Sequence, residues 1–379
     1  GILLFGGVTW PGEIRLVDTP AQLAVALVLI PAAFAATRAR RRMRAVLLVG
    51  VTGYGTALLF LLHGAPDLAL TQTLVETVSL VVFILVLRRF TGRFPDDAPR
   101  FVRRWRALLG TLAGLTMAGL ALTAATVRST APAGQGLYES AKEFGGGNNI
   151  VNVILVDTRA WDTMGELSVV LVAATGVASL IFVNSGNVDQ ALMVIRDTLA
   201  RRSVRQSPVR LDGSQRWLSS SVRPDRRSTI FEVVTRLIFH VMMIWSLYLL
   251  FSGHNHPGGG FAAGLMAGLA LAVRYLAGSR RELMAAAPVM PGLLMGVGLF
   301  LSAGFGLASM LFGGAPLQSW VFDLELPLLG AVHFVTSVIF DVGVYLVVIG
   351  LMLDLLRSLG ARVDLQIEAS QSVQREEAR

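Results

Sequence analysis

The sequence predicts an all-α, polytopic integral membrane protein of about nine transmembrane helices, and three observations carry that prediction. Of its 379 residues, 54% are hydrophobic and only 15% charged, where an ordinary soluble domain carries about 25% charged residues. Apolar runs of roughly 20 residues recur along the chain, each long enough to cross about 30 Å of hydrocarbon. The basic residues gather between alternate runs, as the positive-inside rule requires.

Nine segments meet the length and apolarity test: 20–37, 45–63, 67–88, 107–127, 166–184, 231–251, 258–277, 289–312 and 328–356. Arg38, Arg40, Arg41, Arg42 and Arg44 follow the first; seven arginines from Arg88 to Arg106 follow the third; nine from Arg196 to Arg227 follow the fifth. Arg274, Arg280 and Arg281 follow the seventh, and Arg357, Arg362, Arg375 and Arg379 close the chain. Arg15, Arg128, Lys142 and Arg159 fall on the opposite side, and Arg236 lies inside a span. The N-terminus is therefore expected outside and the C-terminus in the cytoplasm.

Three domains are expected: a five-helix membrane region over 1–187, an Arg-rich cytoplasmic linker over 188–228, and a four-helix membrane domain over 229–379. The linker reading rests on the arginines, serines and prolines of QSPVRLDGSQRWLSSSVRPDRRS. The outer loop 128–165 holds GGGNN at 145–149 and the apolar run IVNVILV at 150–156, too short to cross as a helix. The chain opens GILLFGG with no basic n-region and cleavage site, so no signal peptide is read and residue 1 reads as an internal start in a longer protein.

Several chemistries are excluded. With no cysteine there is no thiolate-bound iron–sulfur cluster, no Cys-ligated zinc and no disulfide. Lys142 in SAKEF is the only lysine, so no GxxxxGK[ST] loop exists, and HExxH, GxSxG and a helix-opening GxGxxG are absent too. The net charge of +8 and the pI near 10.8 come from loop arginines, which is a membrane pattern and not one for nucleic acid. His254 and His256 make an HxH pair, too few ligands for a metal unless partners contribute others, and read as polar residues at a wet helix end. No cofactor and no metal centre is expected.

A charge near the bilayer centre costs at least about 2.5 kcal/mol, so ionisable residues inside spans need a reason. In PDLALTQTLVETVSLVV, Glu76 lies about 13 Å along the helix from Asp67 and near the midplane, with Gln72 one turn earlier on the same face. Asp67 follows Pro66 and reads either as a first-turn acid complementing the helix dipole or as part of an ion route. Glu76 reads as a proton or cation relay, or as a tether to another helix. In the last span, His333, Ser337, Asp341 and Tyr345 recur every fourth residue and form one polar stripe, with Asp341 near the midplane. Glu232, Arg236 and His240 enter from the cytoplasmic side, the first two as an ion pair and the third as a proton carrier or a satisfied buried histidine. Asp157, Asp162 and Glu166 gather at the outer mouth of the fifth span, as a cation funnel or as first-turn acids.

The turn SGHNHPGGGFAAG at 252–264 lies between two spans. Pro257 starts a helix, and Gly258, Gly259 and Gly260 leave backbone N–H groups open at its N-terminus for an anion or a partner loop. Gly260, Gly264, Gly268 and Ala272 form a small-residue stripe for close helix packing. His254 reads as a polar residue at a wet helix end or as an ion contact.

These residues carry a family resemblance. HGAPDLALTQTLVETVSLVVFILVLRR at 63–89 and LVDTRAWDTMGELSVVLVAATGVASLIFV at 155–183 resemble the C-terminal part of the large A-type component of Mrp-type multisubunit cation/proton antiporters. The segment 235–354, with FSGHNHPGGGFAAGLMAGLALAV and VIFDVGVYLVVIGLMLD, is similar to the B-type (MnhB-like) component of the same complexes. The resemblance covers most of the chain and implies sodium/proton exchange driven by the proton-motive force, performed by an assembly in a bacterial plasma membrane. It implies other antiporter subunits as partners, including the lysine-bearing N-terminal antiporter-like module of the A-type component, which this chain lacks. Glu76 and Glu166 match acidic positions associated with ion movement, and Asp341 matches the B-type pattern. The NHPGGGF turn resembles a docking or packing feature shared with membrane-bound hydrogenases. Two other readings stay open: a non-conducting scaffold, and the membrane arm of a hydrogenase or complex-I-like redox pump.

Overall fold

The computed structural model describes residues 17–87, 94, 99–126, 134–183, 229–326 and 330–377. The Arg-rich linker expected at 188–228 lies outside the described residues.

The chain forms two compact units, one up to Ile154 and one from Leu155. In the first, α1 (Pro20–Thr37), α2 (Arg42–Leu62), α3 (Pro66–Leu87) and α4 (Arg100–Thr126) are followed by the short α5 (Gly134–Glu143) and α6 (Ile150–Val153). α1 starts where Thr19 and Gln22 form a reciprocal capping box with Pro20 in the first turn, which satisfies orphan N–H groups at the helix start. α1 packs on α2 and α2 on α3. None of the described residues of α4 is buried.

A π-helical turn (Ile154–Thr158) leads into α7 (Ala160–Val183), the first long helix of the second unit. Then come α8 (Thr229–Ser252), α9 (Gly260–Ala286), α10 (Pro291–Leu311), β1 (Val321–Leu326), β2 (Gly330–Val335) and α11 (Ser337–Glu377). α11 is the core element: α9, α10 and α7 all pack on it, and Phe340, Val344, Val347, Leu353 and Leu356 on it are buried almost completely. α7 packs on α10 and α11.

Eight of these helices (α1–α4 and α8–α11) are long and apolar enough to cross a membrane among the described residues. The remaining expected span, 166–184, falls on the 24-residue α7. The chain is thus an all-α polytopic membrane protein, with one hairpin that hydropathy did not reveal.

That hairpin corrects the expected last span. β1 and β2 pair antiparallel, with Asp323 opposite His333 and Val321 opposite Val335, so residues 330–335 are strand and the helix begins only at Ser337. Alternating, β-branched and aromatic stretches such as VFDLEL and GAVHFV prefer a pleated pair, and an averaged apolarity window cannot distinguish them from a helix end. His333 is therefore not on the helical stripe of Ser337, Asp341 and Tyr345. Asp341 sits about 6 Å from the helix start, one turn in, and not at mid-span.

Candidate functional site

In the first unit, the α2–α3 seam holds the membrane carboxylate. Gly50 and Gly53 of α2 face α3: a Cβ at Gly50 would lie 2.9 Å from Leu80, and one at Gly53 would overlap the carboxyl group of Glu76. Glu76 thus lies across the bare backbone of Gly53, half-buried, and no hydrogen bond or ion pair reaches it among the described residues. Gln72 does not bond to it. One residue further along each helix, the hydroxyls of Tyr54 and Thr77 are 2.8 Å apart, a strap that fixes the helix register at this level. The threonine hydroxyls of α3 turn inward, Thr73 donating to the Ala69 carbonyl and Thr77 to that of Thr73.

At the Pro66 end of the same helices, Asn149 Nδ2 donates to Asp67 Oδ1 at 3.0 Å, so Asp67 ties the α3 start to the α6 start. His63 Nδ1 lies 2.8 Å from the Leu59 carbonyl and must carry the proton there. Its Nε2 is then the acceptor for Gln22 Nε2 at 3.3 Å. Gln22, His63, Gly53 and Asn149 do not stand out in the sequence; the HGAPD and GGGNN strings are visible there, but the pairs they make are tertiary.

In the second unit, the glycine-rich turn has a defined partner. Asp341, 5% exposed, accepts the Gly260 N–H through Oδ1 at 2.9 Å. The anion expected at the α9 N-terminus is therefore a side chain of this chain, placed where the helix dipole favours negative charge. Gly259 has φ +92°, a conformation that favours glycine, and its N–H donates to the Leu249 carbonyl at 3.0 Å. A Cβ at Gly258 would come within 2.5 Å of that same carbonyl, and one at Gly253 would meet the Gly259 backbone. Below the turn, Cβ atoms at Gly264 and Gly268 would lie 2.7 Å from Val348 Cβ and 2.5 Å from Met352 Cγ, so the stripe from Gly260 to Gly268 receives α11 at van der Waals distance. The turn closes back on α8 and presents α9 to α11. His254 is buried, while Pro257 and His256 are exposed.

The polar line on α11 continues from Asp341 to Tyr345, whose hydroxyl lies 3.1 Å from Ser246 Oγ. Ser246 donates its single proton to the Ala263 carbonyl at 2.9 Å. Beyond Tyr345 the same face is filled by Val348 and Met352 against α9. Arg236 pairs with Glu282 at 2.9 Å, and Arg274 pairs with the other carboxylate oxygen at 3.0 Å. All three are at least 85% buried. Glu282 is the partner that sequence reasoning missed, because it follows Arg280 and Arg281 and reads as loop charge. The side chain of Glu232, the expected partner of Arg236, lies outside the described side chains, as does that of His333. His240 is exposed, its ring Nδ1 2.6 Å from the Arg236 carbonyl, and it does not converge with Asp341.

The acids at the mouth of α7 separate. Asp157 receives Ser319 Oγ at 2.5 Å and Ser319 N at 3.3 Å, anchoring the segment before β1. Asp162 pairs with Arg159. Glu166 is exposed on the helix, and no hydrogen bond or ion pair reaches it among the described residues. Among those residues no group of three or more His, Cys, Asp and Glu is placed to hold a metal.

Three family profiles match the chain in order: MbhD, of the MBH complex, over 27–92; MbhE, of the same complex, over 102–185; and MnhB, "Domain related to MnhB subunit of Na+/H+ antiporter", over 230–354. A probable K(+)/H(+) antiporter A/B-type polypeptide of Rhizobium meliloti (strain 1021) is 31% identical over 90% of this chain and 34% of its own length. The B-type component of the Na(+)/H(+) antiporter of Bacillus subtilis (strain 168) is 36% identical over 35% of this chain and 92% of its own. The structure of the Mrp complex from Dietzia sp. DQ12-45-1b contains a chain that superposes with a TM-score of 0.75 at 30% identity, covering 94% of this chain and 37% of that one. The chain spans about a third of the length of the Rhizobium relative and of the Dietzia chain. It belongs to the family of Mrp-type cation/proton antiporter subunits, and joins an A-type C-terminal membrane region to a B-type domain.

Proposed function

We propose that the chain is part of a multisubunit monovalent cation (Na+)/proton antiporter, driven by the proton-motive force in a bacterial plasma membrane, and supplies a protonation step at Glu76. The observation that carries this is the setting of Glu76: an acid inside a membrane helix, lying across Gly53, with no cation or donor committed to it among the described residues. An ionised acid is expensive in hydrocarbon, and one without a committed partner marks a protonation or ion-exchange site by default. A carboxyl there takes up a proton from one side and releases it in exchange for the cation. Glu166 is a second acid turned outward on α7 toward lipid or a neighbouring polypeptide, and a route that includes it uses groups from that neighbour. The partners are the other components of the antiporter, including the N-terminal antiporter-like module of the A-type component.

A scaffold reading is favoured for the second unit by a specific observation. Asp341 is committed to the Gly260 N–H and Glu282 to two arginines, so both hold helices together. His240, His333 and Asp67 are assigned no step in exchange.

The test is cation-induced collapse of a pH gradient in everted vesicles containing the complete complex, with Na+ and K+ added separately. Glu76→Gln at equal assembly is expected to abolish exchange. Retained exchange makes Glu76 a structural residue and moves the proton path to the partner polypeptides.

A further inference from the structure

We infer that Gly53 is the positioning residue for Glu76: its bare backbone makes the slot in which the carboxyl lies against α2, and any side chain at 53 moves the proton acceptor out of the α2–α3 seam. This rests on the reading of Glu76 as the protonating group.

Three observations point the same way. The three atoms nearest to a Cβ at Gly53 all belong to Glu76: the carboxyl oxygen and carbon overlap it, and Cγ lies 2.8 Å away. The contact therefore reaches from the carboxyl to the middle of the side chain, and rotation of the carboxyl group alone does not clear it. Sliding the helices to make room would break the 2.8 Å hydrogen bond between Tyr54 and Thr77, each the next residue along, and would unseat Leu80 from Gly50 one turn away. A methyl group at 53 is thus accommodated by a new rotamer at Glu76, which carries the charge to a different place. Gly53 differs in this from Gly50, whose neighbour is the flexible end of a leucine, and from Gly55, whose neighbour is Leu29 of α1.

The charged surroundings are simple. α3 packs on α2, whose titratable side chains are Arg42, Arg44 and Tyr54. Tyr54 is adjacent to Gly53, whereas the arginines are at least about 13 Å away by helix rise. α1, packed on the far side of α2, carries no titratable side chain. Asp67 on α3 and His63 just past the end of α2 lie about 13 and 15 Å along the helices, so Glu76 is the titratable carboxyl nearest to Gly53.

The experiment measures cation-induced collapse of the pH gradient across a range of pH, using the complete complex in everted vesicles. The set is Gly53→Ala, Gly50→Ala, Glu76→Gln, and Gly53→Ala combined with Glu76→Asp or Glu76→Ala. Gly53→Ala is expected to lower the rate at least about 10-fold and to move the pH of half-maximal exchange by about one unit. Gly50→Ala is expected to leave that pH unchanged. The shorter acid of Gly53→Ala with Glu76→Asp is expected to recover exchange above that of Gly53→Ala. If Gly53→Ala does not assemble, Gly53→Ala with Glu76→Ala is expected to, since the atoms nearest to the new methyl group belong to that side chain. A wild-type rate and pH profile in Gly53→Ala, an equal shift in Gly50→Ala, or failure of the Gly53→Ala with Glu76→Ala complex to assemble each overturns the inference. Loss of exchange in Glu76→Gln alongside an unaffected Gly53→Ala removes this inference alone, while full exchange in Glu76→Gln removes the reading beneath it.

Discussion

The carboxylate of Asp341 accepts the backbone N–H of Gly260 at 2.9 Å, across 81 residues of sequence. It caps the start of α9 from α11 while Gly260, Gly264 and Gly268 let the two helices touch. An acid that reads from the sequence as an ion carrier thus has a full-time structural partner, and the glycines beside it shape the same contact.

Asp341→Asn keeps an oxygen acceptor for the Gly260 N–H and loses only the charge–dipole share, about 0.3–2 kcal/mol. Asp341→Leu leaves that buried N–H unmet, at about 1–3 kcal/mol. Heating the solubilised complex and following the assembled fraction should therefore rank wild type above Asp341→Asn above Asp341→Leu, with exchange retained in assembled Asp341→Asn. An assembled Asp341→Asn complex that no longer exchanges would falsify the structural role.

The α9–α11 contact allows a size-compensation test. Gly264→Ala places a methyl 2.7 Å from Val348 Cβ, and overpacking of this kind costs about 1–3 kcal/mol. Val348→Ala in the same chain should restore part of the lost thermal stability. An effect of Gly264→Ala that Val348→Ala leaves untouched would mean the helices do not meet there.

The spans and the glycine stripe were legible because both are written in local periodicity. A bilayer demands about 20 apolar residues in a row, and a close-packed helix face repeats a small residue every fourth position, as Gly260, Gly264 and Gly268 do. The hairpin was not legible, since a window of about 20 residues averages a six-residue strand such as Gly330–Val335 together with the apolar helix that follows it, and that error displaced His333 and the depth of Asp341. Of the site, the acids themselves could be found by their rarity inside spans. Their partners could not, because Gly53 for Glu76, Gly260 for Asp341 and Glu282 for Arg236 are set by tertiary packing between helices.

Ser319 donates to Asp157 at 2.5 Å through its hydroxyl and holds the segment leading into β1. Ser319→Ala removes a hydrogen bond to an ionised group, worth about 1.5–3 kcal/mol. The expected outcome is faster proteolysis in the 313–336 region of the intact complex, with little change in exchange. Unchanged proteolysis would show that the hairpin is held without this contact.

The Arg236–Glu282–Arg274 cluster supplies the clearest separation of stability from transport. Glu282 neutralises one of two guanidinium groups, each within 3.0 Å, and Arg274 also lies 5.2 Å from the Phe239 ring centroid. Removing the single acid strands two buried cations, and breaking a buried pair this way costs about 3–5 kcal/mol. Glu282→Gln should therefore cut the yield of assembled complex sharply. Replacing all three charges together, Arg236→Met with Glu282→Leu and Arg274→Met, removes the desolvation cost along with the attraction and should recover most of the yield. The recovered complex should exchange cations at the wild-type rate, since no step is assigned to these residues. If it assembles but does not exchange, the cluster takes part in ion movement and the scaffold reading of the second unit fails.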